Sequence, residues 1–145
     1  MSKDKIVTPT SRGSMLQDWM HSLIYKSKGF INTDQWAKNF PVIDLHNAAQ
    51  KIGISLKSTE ATSYGQLNGL LGKNLDDILK ALNKNSITWN GYTAAVQKIK
   101  LVVIVPKENI KTVQDEVEKI IQSKGLNNNS NFEFVVDAAE NLLKL

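Results

Sequence analysis

Three residues whose side chains could carry out phosphodiester chemistry lie on two neighbouring extended stretches. Asp44 lies in the first stretch, and Ser55 and Lys57 lie two residues apart in the second. A carboxylate that binds a divalent metal, beside a lysine that orients a water and stabilises developing charge, is the minimal set for metal-assisted phosphodiester hydrolysis. A carboxylate and a lysine on adjacent strands are also typical of a surface ion pair, so spacing alone leaves both interpretations open.

The two stretches are predicted to form an antiparallel hairpin. The first covers residues 42–46 after Pro41. The second alternates strictly, with Ile52, Ile54 and Leu56 on one face and Gly53, Ser55 and Lys57 on the other. Because the connection between them is short, a hairpin can place Asp44 across from Lys57.

Helices are predicted before and after this hairpin. Ser14 can cap a first helix whose apolar face contains Leu16, Trp19, Met20, Leu23 and Ile24. A short helical turn is predicted within residues 33–38 of the following connection. Asn74 can cap a further helix with the buried stripe Leu75, Ile78, Leu79 and Leu82, after a polar segment over 63–72. Residues 83–91, which include Trp89, are predicted to form a loop.

The last part of the chain predicts a βαβ unit. Residues 99–105 are almost wholly apolar, which indicates a strand covered on both faces. An amphipathic helix ends before Gly125, residues 132–136 form another strand, and a short terminal helix follows. The expected fold class is therefore α/β, with a small mixed central sheet flanked by helices.

Composition bounds the possible functions. The chain has 145 residues, a net charge of +4 and no Cys. The absence of Cys excludes disulfides, thiolate zinc sites and cysteine nucleophiles. Residues 1–13 are expected to be a disordered or tag-derived leader, and 14–145 a single domain. No membrane span, signal peptide or nucleotide-binding glycine motif is present in the sequence. Residues 1–105 carry 13 basic and 7 acidic groups, which suits an anionic polymer as partner.

Other metal ligands are conceivable from the residue types. His46 shares the predicted face of Asp44, and His21 shares a helix face with Gln17. Glu60 follows the second strand of the hairpin. Two histidines without a carboxylate cluster at fixed spacing are more often structural, so these residues are secondary candidates.

The pattern resembles a known family. Residues 40–44, then 52–60 with a Ser-x-Lys at Ser55 and Lys57, then the strand and helix after Leu101, resemble the C-terminal toxin domains of contact-dependent growth inhibition proteins. The resemblance is to the branch with a PD-(D/E)XK, restriction-endonuclease-like fold. It covers most of the chain from Met15 onward.

This resemblance implies roles for individual residues. Asp44 would be the metal-binding carboxylate, Ser55 would take the position of the usual second acidic residue, and Lys57 would be the catalytic lysine. The helix carboxylate of the family aligns with Gln17, a departure that could reduce metal affinity or activity. A natural variant, a shift of the ligand to Asp18, and a deliberate inactivating Glu→Gln change remain open as explanations.

The resemblance implies a metal-dependent endonuclease that acts as an antibacterial toxin. Asp44, Gln17 and Ser55 would hold Mg²⁺, Mn²⁺ or Zn²⁺, Lys51 and Lys73 would contact nucleic acid, and DNA is favoured over tRNA as substrate. A cognate immunity protein is the expected protein partner. The toxin would be secreted within a larger cell-surface protein and act in the target bacterium's cytoplasm, without stable membrane insertion.

Two rival interpretations follow from the same residues. In a non-catalytic α/β binding module, Asp44 and Lys57 form only a salt bridge. An immunity protein is the second rival, but such proteins are commonly acidic, whereas this chain has a pI of about 9.2.

Overall fold

A computed structural model describes residues 17–142 of the chain. The predicted leader, the proposed cap at Ser14 and the last residues of the predicted terminal helix lie outside this range. Within the described range, no helix is both long enough and apolar enough to cross a membrane.

The centre of the fold is a five-stranded mixed sheet in the order β1-β2-β3-β6-β7. The first three strands are antiparallel: β1 (Ile31–Asn32), β2 (Leu45–Asn47) and β3 (Ile52–Ser58). Strand β6 (Lys98–Ile104) runs parallel to β3, and β7 (Phe132–Asp137) runs parallel to β6. The predicted hairpin and the predicted parallel βαβ unit are both present, so the expected fold class is confirmed.

Helices cover both faces of this sheet. On one face, α3 (Tyr64–Lys84) and α4 (Ile110–Ser123) pack against alternate residues of β6, including Ile99, Leu101 and Val103. On the other face, the helical segment α1 (17–28) and the short helix α5 (Ala139–Leu142) cover the second core, which includes Ile54, Leu56 and Val102. We call these the α3 face and the α1 face. Consecutive β-strand residues point to opposite faces, so β6 contributes to both cores, whereas β3 contributes only to the core on the α1 face.

The buried side of α1 differs from the predicted apolar face. The segment is α-helical over 17–20, forms a π-helical turn at His21–Tyr25 and ends in a 3₁₀ turn at Lys26–Lys28. Met20 and Ile24 are buried as predicted, but Trp19 is 40% exposed and Leu23 is 56% exposed. Gln17 and His21 occupy the buried side instead. Gln17 donates a hydrogen bond to Asn32 there, and His21 forms one with the carbonyl of Phe30.

Helix α3 begins earlier than predicted. The prediction placed its N-cap at Asn74, whereas Ser63 is the N-cap and accepts a hydrogen bond from the amide of Gln66. The segment 63–72 contains glycines that disfavour a helix. Buried Leu67 and Leu71, one turn apart on the same face, supply the packing that offsets this cost.

The predicted loop over 83–91 is wrong, because a second hairpin forms there. Strand β4 (Ser86–Trp89) pairs with β5 (Tyr92–Ala95) in a separate two-stranded sheet. Asn90 and Gly91 between them both have positive φ, as a type I′ turn requires. The short helix α2 (Thr33–Trp36) confirms the helical turn predicted within 33–38.

Candidate active site

Asp44 is held in place through both its main chain and its side chain. Its amide donates to the carbonyl of Ile54 over 2.7 Å. Its carboxylate Oδ2 accepts a hydrogen bond from the amide of Leu56, also over 2.7 Å. Thr33 donates to the Asp44 carbonyl from its amide at 2.9 Å and from its hydroxyl at 3.0 Å. The carboxylate is therefore fixed against β3 at the point where β2 begins.

The environment of Asp44 raises the pKa of its carboxyl toward neutral pH. Burial raises the pKa of the carboxyl from 3.8 to about 6, because the charged form loses hydration. The Leu56 amide and the positive charge of Lys57 act in the opposite direction, and the nearby Asp34 adds a further upward contribution. Asp44 is consequently ionised at neutral pH but accepts a proton in mildly acidic solution.

Strand β3 places Ser55 and Lys57 on the α3 face. Leu45 pairs with Ile54, so the antiparallel register continued by one residue puts Asp44 beside Ser55. Ser55 is fully buried, and its hydroxyl accepts a hydrogen bond from Asn74 Nδ2 at 3.1 Å. A substrate or ion can reach this hydroxyl only if Asn74 moves.

Lys57 is close enough to Asp44 to lower the pKa of that carboxyl. Within residues 17–142, however, no carboxylate lies within 4.0 Å of its ammonium group. The simple surface ion pair considered from the sequence is therefore not formed between Asp44 and Lys57. Lys57 therefore influences the Asp44 carboxyl through its charge without forming an ion pair with it.

Gln17 contacts the main chain of Asp44, and its role as a metal ligand stays a prediction. It is buried, and its Nε2 donates to the Asp44 carbonyl at 3.0 Å and to Asn32 Oδ1 at 2.6 Å. A main-chain carbonyl can only accept, so this contact determines which end of the amide faces Asp44. Only Oε1 of Gln17 is therefore left as a ligand atom for a metal.

Asn32 connects Gln17 to the alternative ligand Asp18. Asn32 Oδ1 also accepts from the amide of Asp34 at 3.0 Å, which caps α2, while its Nδ2 donates to Asp18 Oδ1 at 2.6 Å. Asp18 is exposed and lies next to this network. Asn32 and Asn74 are the two site residues that sequence reasoning missed. The sequence predicts a capping role for Asn74, and the only signal for Asn32 is its position before a short helix.

The two lysines predicted to bind nucleic acid lie on different elements of the fold. Lys51 is in the turn that precedes β3, six residues from Lys57 and therefore about 20 Å along the strand. Lys73 is exposed on α3, and its ammonium pairs with Asp77 at 2.9 Å, which raises the pKa of Lys73. Their role in nucleic-acid binding stays a prediction.

The secondary metal candidates have other contacts. His21 Nε2 lies 2.6 Å from the carbonyl of Phe30, and His46 Nε2 lies 2.8 Å from the carbonyl of Ala95. The His46 ring also stacks on Trp36 at a centroid distance of 6.0 Å. Both imidazoles thus have structural partners. Glu60 is exposed three residues beyond Lys57.

The oxygen atoms around Asp44 are compatible with a hard divalent cation. In the part of the chain that the structure describes, no three His, Asp or Glu side chains converge as a complete ligand set. Mg²⁺ commonly uses only one or two carboxylates and completes its shell with waters and substrate phosphate oxygens. The Asp44 carboxylate and Oε1 of Gln17 are oxygen donors of the type such a site uses, but the contact between the two residues is through the main-chain carbonyl of Asp44.

Comparisons with known proteins give a structural relationship. No family model matches the chain, and no curated protein matches it. The fold is similar to a chain in the CdiA-CT/CdiI toxin and immunity complex from Yersinia pseudotuberculosis, with a TM-score of 0.55 and 17% sequence identity. The alignment covers 85% of this chain and 97% of that chain. At this identity, the similarity establishes a shared α/β fold.

Proposed function

We propose that this protein is a metal-dependent endonuclease that acts as an antibacterial toxin of the contact-dependent growth inhibition type. The observation that carries the proposal is the Asp44 carboxylate, oriented by the Leu56 amide and influenced by the positive charge of Lys57. The fold shared with a chain of a toxin and immunity complex supports the toxin part. The assignment to the PD-(D/E)XK branch rests on the Ser-x-Lys resemblance.

In this proposal, Asp44 and Gln17 would hold the cation. Their carboxylate and amide oxygens favour Mg²⁺ or Mn²⁺ over Zn²⁺, which binds nitrogen and sulfur ligands more readily. Ser55 would contribute its hydroxyl after a movement of Asn74. When bound, the ion would supply Lewis-acid polarisation of the scissile phosphate and a more acidic water.

The chain's own residues would position the reactants. The Leu56 amide keeps the carboxylate of Asp44 in one orientation, so little reorganisation accompanies binding. Lys57 would hold a water by hydrogen bonding and stabilise the negative charge that develops on the phosphate oxygens. DNA remains the favoured substrate and tRNA the alternative.

The cleavage test compares four proteins on two substrates. Wild type, Gln17→Glu, Lys57→Ala and the exposed control Lys84→Ala are incubated with plasmid DNA and with total tRNA, in Mg²⁺ and in EDTA. We expect wild type or Gln17→Glu to cleave in the presence of metal. In whichever of these two proteins cleaves, adding Lys57→Ala should lower the cleavage rate by about 100-fold, whereas adding Lys84→Ala should cause no comparable loss. No cleavage of either substrate, or full activity of Lys57→Ala, contradicts the proposal. Thermal melts identify any variant that fails to fold.

Metal titration distinguishes a nuclease from the rival interpretation, a non-catalytic binding module. A nuclease site should bind Mn²⁺ in a manner abolished by Asp44→Ala, whereas a binding module should not. Inducible expression in bacteria separates a toxin, which arrests growth, from an immunity protein, which does not. A cognate acidic immunity protein, the proposed partner, would relieve that arrest by covering the basic surface.

A further inference from the structure

A second pocket lies on the α1 face, on the side of the sheet opposite Ser55 and Lys57. Its volume is about 370 Å³, within the range of small-ligand sites. Its wall is formed by charged and aromatic side chains, chiefly Tyr25, Lys28, Phe30, Lys98, Lys100 and Glu133. None of these residues takes part in the proposed nuclease site, so the pocket is a separate feature of the molecule.

The register of the sheet explains why charged residues meet there. Lys98 pairs with Ile52, Lys100 pairs with Ile54, and Lys100 also pairs with Glu133 of β7. Paired residues in a sheet share a face, so both lysines lie on the α1 face beside the isoleucines. A lysine within the apolar strand β6 would be costly under a closed layer. Lys100 is tolerated in this strand because the pocket opens above it.

The pocket has an excess of positive charge. Lys98 forms a salt bridge with Glu133, which offsets one of the three lysines. Among residues 17–142, neither Lys28 nor Lys100 has a carboxylate within 4.0 Å. Two uncompensated ammonium groups above an apolar surface attract an anion more strongly than the same groups on an open surface.

The floor of the pocket is aromatic. Tyr25 and Phe30 are buried and meet edge to face, with ring centroids 5.5 Å apart. Lys28 lies over the Tyr25 ring at 5.8 Å. Burial raises the pKa of the Tyr25 phenol, so it remains a hydrogen-bond donor at neutral pH.

We propose that this pocket binds a nucleoside monophosphate, with the phosphate between Lys28 and Lys100 and the base against the apolar lining at Ile52. A phosphate alone would leave the apolar floor uncovered, and an uncharged ring would leave the ammonium groups unpaired. A nucleotide satisfies both parts of the pocket. The unit is either a free nucleotide or one residue of a single strand, since the two present the same chemistry.

The binding test uses adenosine monophosphate, adenosine and inorganic phosphate in EDTA, followed by amide NMR shifts and calorimetry. We expect adenosine monophosphate to bind about tenfold more tightly than either fragment, with shifts at Tyr25, Ile52 and Lys100. Equal affinity for phosphate alone, or shifts confined to Asp44 and Lys57, overturns the proposal. Because EDTA removes divalent metal, the result is independent of the nuclease proposal.

Matched variants give the binding test its control. Lys28→Ala with Lys100→Ala should weaken binding of adenosine monophosphate by about tenfold or more. Lys80→Ala with Lys107→Ala removes the same charge from exposed positions outside the pocket and should change binding less than about threefold. Equal losses in the two double variants overturn the proposal. Displacement of the nucleotide by a single-stranded oligonucleotide with a terminal phosphate assigns the pocket to a strand, and no displacement assigns it to the free nucleotide.

Discussion

Asp44 lowers the stability of the protein at the pH where it would act. Its pKa is 3.8 in ordinary surroundings and about 6 in the folded protein. Between these values the folded state holds a proton that the unfolded state releases, so stability falls as the pH rises from 4 to 6. Above pH 6 the full cost of the buried charge is present, on the order of 3 kcal/mol.

The change Asp44→Asn should therefore stabilise the protein in neutral and basic solution. An Asn side chain can still accept the hydrogen bond from the Leu56 amide, but it carries no charge. We expect the free energy of unfolding to rise by about 1–2 kcal/mol at pH 8, with little difference from wild type near pH 4. Urea unfolding at both pH values measures this. A variant that is less stable at pH 8, or equally stabilised at both, contradicts the assigned effect of burial.

At the same scale, Gln17 shows what the sequence could not reveal. The family resemblance predicted Gln17 as a metal ligand beside Asp44, and in the structure Gln17 contacts the main-chain carbonyl of Asp44. Its hydrogen bonds, however, use Nε2 and join residues 15 and 27 positions away. Such partners depend on how α1 docks against the sheet, which no local pattern specifies. Gln17 thus has a structural role in addition to its proposed role as a ligand.

Two glycines in the strands and helices around the site differ in how much space surrounds them. A Cβ added at Gly53 of β3 would lie 2.6 Å from Ile43 Cγ2, and Ile43 is fully buried beside Asp44. A Cβ added at Gly69 of α3 would have no heavy atom within 4 Å. The same substitution should therefore have opposite effects at the two positions.

We expect Gly53→Ala to destabilise the protein by about 1–3 kcal/mol, because the buried Ile43 must move. Gly69→Ala should stabilise it by about 0.5–1 kcal/mol, because alanine favours the helix more than glycine does. Thermal or urea unfolding of both variants is the measurement. A neutral or stabilising effect of Gly53→Ala would mean that β2 and β3 pack more loosely than described.

The elements that were predicted correctly are those with a strong local pattern. The alternation at 52–56 and the apolar stripe of α4 follow from period-two and helical spacing, and both are present. The glycines of α3 concealed a helix that burial of Leu67 and Leu71 stabilises. The hairpin β4–β5 had a signal, the Asn90-Gly91 pair between two extended stretches, which the loop prediction overlooked.

For the whole molecule, the uneven charge bears on where nucleic acid would bind. Residues 1–105 have a net charge of +6, and residues 106–145 have a net charge of −2. The proposed nuclease residues and the α1-face pocket belong mainly to the first part. Helix α4 and strand β7 of the second part contribute chiefly to the core on the α3 face.

Two pairs of lysines test whether this asymmetry directs binding. Lys51 and Lys73 belong to the basic part, whereas Lys107 and Lys111 belong to the acidic part, and all four are exposed. The pairs match closely, because Lys73 and Lys111 each form an i,i+4 salt bridge, with Asp77 and Asp115 respectively. Each double change to alanine removes the same number of charges and the same type of ion pair.

Oligonucleotide binding would be measured across a salt series in EDTA, with the Lys57→Ala protein as background so that no strand is cleaved. Each lysine that contacts a phosphate adds about 0.7–0.9 to the slope of log affinity against log salt. We expect Lys51→Ala with Lys73→Ala to lower that slope by about 1–2 and to weaken binding, while Lys107→Ala with Lys111→Ala leaves both nearly unchanged. Equal losses in the two double variants would mean that binding follows total charge rather than a defined basic surface.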